Sequence, residues 1–587
     1  MKGASERTAV AAPRSPSRRL SERLQVLGQP EERWPRLLAL ALAVGLASGA
    51  AAVLLRQLVH IAFHSIADLR HGVLALALPA VGAVLGVAIV AYLFREPAGH
   101  GVPEVIRAVC RGGGTMRRRA IFSRWLGSLV NVAAGASAGL EGPTVYSGAA
   151  IGSAIGGWFQ VDERRRSVLL ACGVAGGISG IFNAPMTGMI FAIEVVLAEW
   201  STFTIVPIAI AAVGGTELSR LLVGNEVSFL HAPFDMGPKD LALCALLGVI
   251  AGLVSVIFVR ANHRISQWSE RISKNPLVPA GLFGLLVGAI GLVSPAAIGD
   301  GYEVAQEAIQ DNLSLGLGLC VLLLAGKLLA SSLSLGSGSP GGIFAPSLVI
   351  GALLGSTYAG ALRSLFPAAP IAESGSYALV GMAGLVAGVM HAPLTGIFLV
   401  MEVTRGYDGI LPLMIASVLA LLVARRFHRY SLYNWELAQS GELLRPGTDQ
   451  RILADLQVRD VLDEHVSVVH ENMLLSEFVG VLKGSRRNNF PVLRAGSEQY
   501  VGMVDVASAR EVLLEPDLLS ITLVGTIMDL GLRTVPHHTS LTEAMEIFEE
   551  EGAWVLPVVD GGRFVGLVSK SSLFDHYRRE LNAQAKE

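Results

Sequence analysis

The sequence predicts an all-α polytopic membrane protein made of two repeated halves, followed by a small cytoplasmic α/β pair of modules. Three observations carry this. The 587 residues are 52% apolar, include 66 glycines and are only 16% charged, where an ordinary globular protein is about 25% charged. Mean hydropathy is +0.53. The charge is segregated: Arg and Glu crowd the first 36 residues and the region after about residue 440, while the stretch between is apolar. Finally, two segments of that apolar stretch repeat each other.

The elements follow in order. Residues 1–33 hold Ser, Pro, Ala and Arg without periodicity and read as a disordered cytoplasmic tail. The tail lacks the apolar core and cleavage site of a secretory signal, and its basic character suits the positive-inside rule. Residues 34–440 are the membrane domain. Leu37–Phe63, Leu74–Phe94, Ile121–Ala138, Phe203–Leu222, Leu241–Phe258, Leu277–Val293 and Leu317–Leu333 are apolar over lengths that span or nearly span a bilayer. Thr144–Phe159, Val168–Ile181, Met186–Val196, Ser347–Leu362, Ala378–Val389 and Leu394–Met401 are shorter or broken, below the roughly 20 residues a crossing needs. Broken helices inside a membrane must line a polar cavity or be buried in protein, and they mark ion and substrate sites.

The repeat is explicit. Gly176-Gly-Ile-Ser-Gly-Ile-Phe-Asn-Ala-Pro185-Met-Thr-Gly188 runs on to Glu194-Val195. Gly384-Leu-Val-Ala-Gly-Val-Met-His-Ala-Pro393-Leu-Thr-Gly396 runs on to Glu402-Val403 with the same internal spacing. Upstream, Pro143, Gly148, Gly152 and Ser153 match Pro346, Gly351, Gly355 and Ser356. Sequence alone leaves the relative orientation of the halves open.

Three turns share one design: Gly99-His100-Gly101-Val102-Pro103-Glu104, Gly139-Leu140-Glu141-Gly142-Pro143, and Gly338-Ser339-Pro340-Gly341-Gly342-Ile343-Phe344-Ala345-Pro346. Each is a glycine-rich turn, then proline, then a helical pattern. Proline suits the first helical position, and glycine leaves backbone N–H groups approachable. A helix N-terminus carries about half a positive charge. Three of them aimed at one point would bind an anion without a full cation, and so without holding it too tightly to leave.

Together these turns resemble those of the CLC family of chloride channels and chloride/proton exchangers, over about residues 37–440. The resemblance implies transmembrane transport of chloride and other small anions by a homodimer, with no catalytic residue, no metal and no nucleic-acid partner. It makes Glu141 the gating glutamate. It makes Gly342, Ile343, Phe344 and Ala345 the turn whose N–H groups face the anion, with His100 and Gly101 in the first turn. By the same resemblance Tyr433 is the late tyrosine whose hydroxyl contacts the central anion; read on its own it is equally an interfacial anchor. His100 stands where the family usually has serine, and Leu140 where it has Lys or Arg. Val195 stands where well-coupled exchangers carry a second carboxylate after the position of Glu194, and a valine cannot relay a proton. Val195 points to a channel-like or weakly proton-coupled pathway, with a chloride/proton antiporter as the alternative, while His100 bears on the choice among anions. Glu194 also has a structural explanation, a helix-end carboxylate like Glu402.

After a linker at 441–454 the pattern becomes alternating strands and helices, and it repeats across 455–516 and 517–587. This resembles a pair of CBS modules, which in many proteins bind adenine nucleotides. The nucleotide signature ends in Ser or Thr and, three residues on, Asp. Here those places hold Asp505 and Ser508, then Ser569 and Ser572, so no cofactor is expected and nucleotide binding is not favoured.

Other classes fit less well. A membrane metalloprotease needs His-Glu-x-x-His, which is absent, and His60 and His64 have no Glu after His60. A magnesium channel would need more pore carboxylates. The four cysteines are scattered singly and read as small buried residues. The surviving alternative of another class is a secondary transporter of a small organic solute. The expected location is the plasma membrane, with the N-terminus and the modules cytoplasmic.

Overall fold

The structure, a computed structural model, describes residues 30–67, 72–111, 113–225, 229–231, 234, 236–310, 317–368, 371–440, 442, 456–485 and 487–576. Residues 1–29 of the expected tail, and most of the expected linker, lie outside them. The chain divides into two compact units, Met1–Leu443 and Leu444–Glu587.

The first unit is helical. Its first half holds α1 (Pro30–Ser65), α2 (Gly72–Ala88), α3 (Val102–Arg111), α4 (Ala120–Ala133), α5 (Glu141–Trp158), α6 (Glu163–Phe182), α7 (Pro185–Phe191) and α8 (Thr202–Val223). The second half holds α9 (Pro238–Ile272), α10 (Leu277–Val293), α11 (Tyr302–Ile309), α12 (Leu317–Gly336), α13 (Phe344–Leu365), α14 (Ser374–Met390), α15 (Pro393–Thr404), α16 (Ile410–Phe427) and α17 (Trp435–Gln439). Among the described residues, eight helices are long and apolar enough to cross a membrane. This is an all-α polytopic membrane domain.

Several expected spans need correction. α6 and α13 are long enough to cross, although Val168–Ile181 and Ser347–Leu362 read as too short. The difference is at the ends, where Asp162 accepts the N–H of Arg165 and starts α6 ahead of its apolar run. Ile121–Ala138 is shorter than expected: α4 stops at Ala133, and Gly135 takes a left-handed φ of 103°. α16 has no counterpart among the expected spans. The last residues of the expected tail already belong to α1.

The repeat governs the packing. α6 and α14 end in the same way, on left-handed Asn183 and His391, followed by Ala-Pro at the start of α7 and α15. Proline costs no hydrogen bond at that position. α5 packs on α6 through Gly148 and Gly173, and α13 on α14 through Gly351 and Gly381; a Cβ at any of these would overlap the facing backbone. Small residues are what let membrane helices approach this closely.

Two contacts reveal how the halves are related. Gly139 and Gly342, equivalent in the repeat, exchange both backbone hydrogen bonds, at 2.8 and 2.6 Å. The Glu194 carboxylate accepts the N–H groups of Leu394 and Thr395 at the start of α15. The Glu402 carboxylate accepts those of Met186 and Thr187 at the start of α7. Reciprocal contacts between equivalent residues require an approximate two-fold axis between the halves.

The second unit holds α18 (Val458–Val461), β1 (Val469–His470), α19 (Leu475–Gly484), β2 (Asn489–Leu493), β3 (Tyr500–Asp505), α20 (Arg510–Leu513), α21 (Pro516–Leu519), α22 (Leu541–Glu550), β4 (Val555–Asp560) and β5 (Arg563–Ser569). One sheet runs β1-β2-β3 and the other β4-β5. Lead-in segments are exchanged between the two cores. Val458 and Val461 pack with Leu541, Phe548 and Val568, and Asp463 bridges Leu567. Val524 packs with Val469, Phe478 and Phe490, and Asp529 bridges Met503. Each core therefore needs chain from both sides of residue 516.

Candidate functional site

Glu141 is the first residue of α5, and Phe344 the first of α13. The paired bonds between Gly139 and Gly342 hold these two helix starts side by side. On α5 the N–H of Thr144 bonds back to Leu140 at 3.0 Å, and on α13 that of Ser347 bonds back to Ile343 at 3.0 Å. The N–H groups ahead of them have no intrahelical acceptor. The first turn joins them at Gly142, where a Cβ would stand 3.0 Å from the Gly341 carbonyl oxygen and 3.1 Å from that of His100. All three turns therefore meet at one place.

The Glu141 side chain fills that place. The residue is 2% exposed. Its Oε1 accepts from the Tyr302 hydroxyl at 2.6 Å, while Oε2 is buried with no hydrogen-bond partner. Oε2 lies against Gly139 and Gly342, and a Cβ on Gly342 would stand 2.9 Å from it. The carboxyl faces the N–H of Ala345 and its own N–H. No side chain caps α5. A carboxylate in this position occupies the seat that two helix dipoles offer to an anion.

The other expected residues surround it. Ile343, Phe344 and Ala345 are buried, and the Phe344 ring packs against Phe182 and Phe191 at 5.5 and 5.8 Å. Tyr433, 2% exposed, faces Glu141 and meets the His100 ring edge-on at 5.8 Å. His100 is half-buried, and its Nδ1 is buried without a partner. Gly101 has a φ of +91°, and a Cβ there would strike the Arg124 and Tyr146 side chains, so only glycine fits.

The Glu194 carboxylate is engaged at the start of α15. Its two oxygens are taken by Leu394 N–H, Thr395 N–H and the Thr395 hydroxyl, at 3.1, 2.8 and 2.7 Å. Val195 beside it is buried.

Sequence reasoning missed three residues. Tyr302 contacts Glu141 directly. Arg124 and Lys327 are fully buried cations. Arg124 donates to the carbonyls of Pro97 and Gly99, at 3.1 and 3.0 Å, and to Glu104 at 3.1 Å, so it pins the first turn. Their signal was present: each is a lone cation in an apolar run, nineteen residues before Pro143 or Pro346.

The sequence profile described as "Voltage gated chloride channel" matches residues 81–425, well over half the chain. The chain belongs to this family, the CLC family. The "CBS domain" profile matches residues 524–579. The chain is 33% identical over 378 residues to "H(+)/Cl(-) exchange transporter ClcA" of Salmonella typhi, covering 62% of this chain and 79% of that protein. It is 31% identical over 415 residues to the protein of that name from Vibrio cholerae serotype O1, strain M66-2, covering 68% and 88%. A slow cyanobacterial Cl-/H+ antiporter superposes with a TM-score of 0.63 at 25% identity, covering 70% of this chain and 99% of that one. A eukaryotic CLC transporter superposes with a TM-score of 0.60 at 22% identity, covering 92% and 98%, and shows the fold. This CLC protein is thus a multi-pass membrane protein of chloride transport, with a C-terminal pair of CBS modules.

Proposed function

We propose that the chain is a chloride/proton antiporter whose moving gate is Glu141. The observation that carries this reading is the Glu141 carboxylate seated where the starts of α5 and α13 converge, with one oxygen unpartnered. It is a tethered competitor for the anion's own seat. Ionised, it blocks; protonated, it loses its attraction to the helix ends and swings out. Proton uptake and anion passage then share one residue. The names of the relatives, which are exchangers, favour this reading over the channel-like behaviour that Val195 suggested.

Coupling is loose in this reading, because Glu194 is committed to the start of α15 and the residue after it is Val195, which carries no proton. His100, with a buried unpartnered Nδ1 beside Tyr433, replaces a hydroxyl donor with a ring that donates N–H, and so tunes the choice among small anions. The test is proton movement in vesicles loaded with chloride. Outward chloride flow is expected to draw protons inward, fewer per chloride than in a tightly coupled exchanger. Proton movement equal to that of protein-free vesicles would contradict the reading.

The protein in this reading is a transporter, not an enzyme, and works as a homodimer in the plasma membrane with both modules cytoplasmic. The modules hold no nucleotide. Asp505 spends its carboxylate on the N–H and hydroxyl of Ser508, at 3.1 and 2.8 Å. Ser569 and Ser572 bond each other, so the signature positions leave no carboxylate for a ribose. Calorimetry of the full-length protein with ATP is expected to show no binding tighter than about millimolar, the range of a few unassisted contacts. Micromolar affinity for ATP, ADP or AMP would overturn this.

A further inference from the structure

The gate glutamate has a partner that the transport reading leaves unused. Tyr302 opens α11, and its hydroxyl donates to Glu141 Oε1 at 2.6 Å. Its ring meets Phe229 edge-on at 5.8 Å. Its N–H reaches Asp300 Oδ1 at 3.4 Å. The turn before it, Gly299-Asp300-Gly301, has left-handed φ values of 69° and 80° at the two glycines. Lys327 of α12, fully buried, donates to the Gly299 carbonyl at 2.9 Å and the Ala297 carbonyl at 3.4 Å. A Cβ on Gly301 would stand 2.9 Å from its Nζ. The ammonium therefore fixes the turn, and the turn fixes the phenol.

The same device recurs in the other half. Arg124 holds the carbonyls of Pro97 and Gly99 just before His100, and Lys327 holds those of Ala297 and Gly299 just before Tyr302. Both turns read Gly-x-Gly, and both cations stand at the same repeat position.

We propose that Tyr302 is the latch of the Glu141 gate, a positioning residue whose phenol holds the ionised carboxylate in the anion's seat, itself set in place by Lys327 through the Gly299–Gly301 turn. This rests on the reading of Glu141 as the gate. A hydroxyl bound to a carboxylate is a charge-assisted hydrogen bond and is stronger than one to the neutral acid. The latch therefore grips the blocking form and releases the protonated one. Without it, the ionised side chain would leave its seat without a proton, and anions would slip past. The charged and titratable groups facing Glu141 or Tyr302 are Asp300, Arg56 and the Tyr433 phenol, and Asp300 in turn faces Lys327.

The experiment is chloride efflux from vesicles containing the full chain, over a range of pH, for wild type, Tyr302→Phe, Glu141→Gln and the double variant. Tyr302→Phe keeps the ring and removes only the hydroxyl. It is expected to raise efflux at alkaline pH by about tenfold, the size of one hydrogen bond to a charged group. Its pH of half-activation should rise by about one unit, its proton-to-chloride ratio should fall, and its efflux should converge with wild type in acid. On the Glu141→Gln background it should add nothing, because the two residues act as one unit. Asp300→Asn should leave the Tyr302→Phe effect in place. Should Tyr302→Phe fail to fold, Gly301→Ala displaces the phenol from the Lys327 side and is expected to move the profile the same way. An unchanged pH profile in Tyr302→Phe, or in Gly301→Ala where that variant stands in for it, alongside a flat one in Glu141→Gln, would overturn the latch and leave the gate standing. A wild-type pH response in Glu141→Gln would overturn the gate itself, and the latch with it.

Discussion

Glu141→Gln is expected to raise chloride efflux at neutral and alkaline pH by about tenfold or more, to flatten its pH dependence and to abolish proton coupling. The carboxamide keeps the size of the side chain and loses its charge. Attraction of a partly buried charge to a helix end reaches about 2 kcal/mol, and 1.4 kcal/mol is a factor of about ten. Two helix ends meet at this seat. The competing explanation is a glutamate that merely caps α5, whose loss would cost about 1 kcal/mol of stability and leave the pH response alone. The geometry disfavours it, because the Glu141 carboxyl does not serve α5 alone: it faces the N–H of Ala345 on α13 and accepts from Tyr302 of α11. Efflux from vesicles at two pH values separates the two.

The second large effect concerns stability. Arg124→Met is expected to destabilise the membrane domain by about 3–5 kcal/mol, the usual result of removing one member of a buried ionic group. Arg124 is fully buried. It lies 3.4 Å from Glu96 and 3.1 Å from Glu104, and its guanidinium stacks over Tyr146 at 4.2 Å. Methionine would leave Glu96, itself 7% exposed, with only the more distant Arg119 at 4.0 Å. Arg124→Lys should recover only part of the loss, since one ammonium cannot serve two carbonyls and two carboxylates with a planar fork. Thermal unfolding of the detergent-solubilised protein, followed by size exclusion, measures both. A melting temperature equal to wild type in Arg124→Met would mean that the first turn is held by other contacts.

Much of the site was legible because its signals are local. Glycine and proline mark a helix start wherever they occur, so the three turns and the repeat could be read directly. The dual nature of Glu194 was also legible, since Glu402 sits at the same repeat position, and the reciprocal caps bear out the structural explanation. What was hidden depends on distant chain. Tyr302 stands 161 residues from Glu141, and nothing in its own neighbourhood says which carboxylate it reaches. The Gly-x-Gly turn before it copies Gly99–Gly101, yet only the buried lysine reveals that the copy has the same purpose. Helix lengths were misjudged where polar caps extend an apolar run, as at Asp162. The exchanged lead-in segments of the CBS pair were invisible for the same reason as Tyr302: Val458 and Leu541 are partners only in three dimensions.

The most direct test of Glu141 as a gate shared by chloride and protons is the reversal potential of the reconstituted protein, with equal chloride on both sides and a pH gradient across the membrane. The account predicts a potential displaced from zero, by a fraction of the about 59 mV that a tenfold gradient of a freely permeant proton would give, with Glu141→Gln returning it to zero. A wild-type potential of zero under the pH gradient would contradict it and make the protein a passive anion channel.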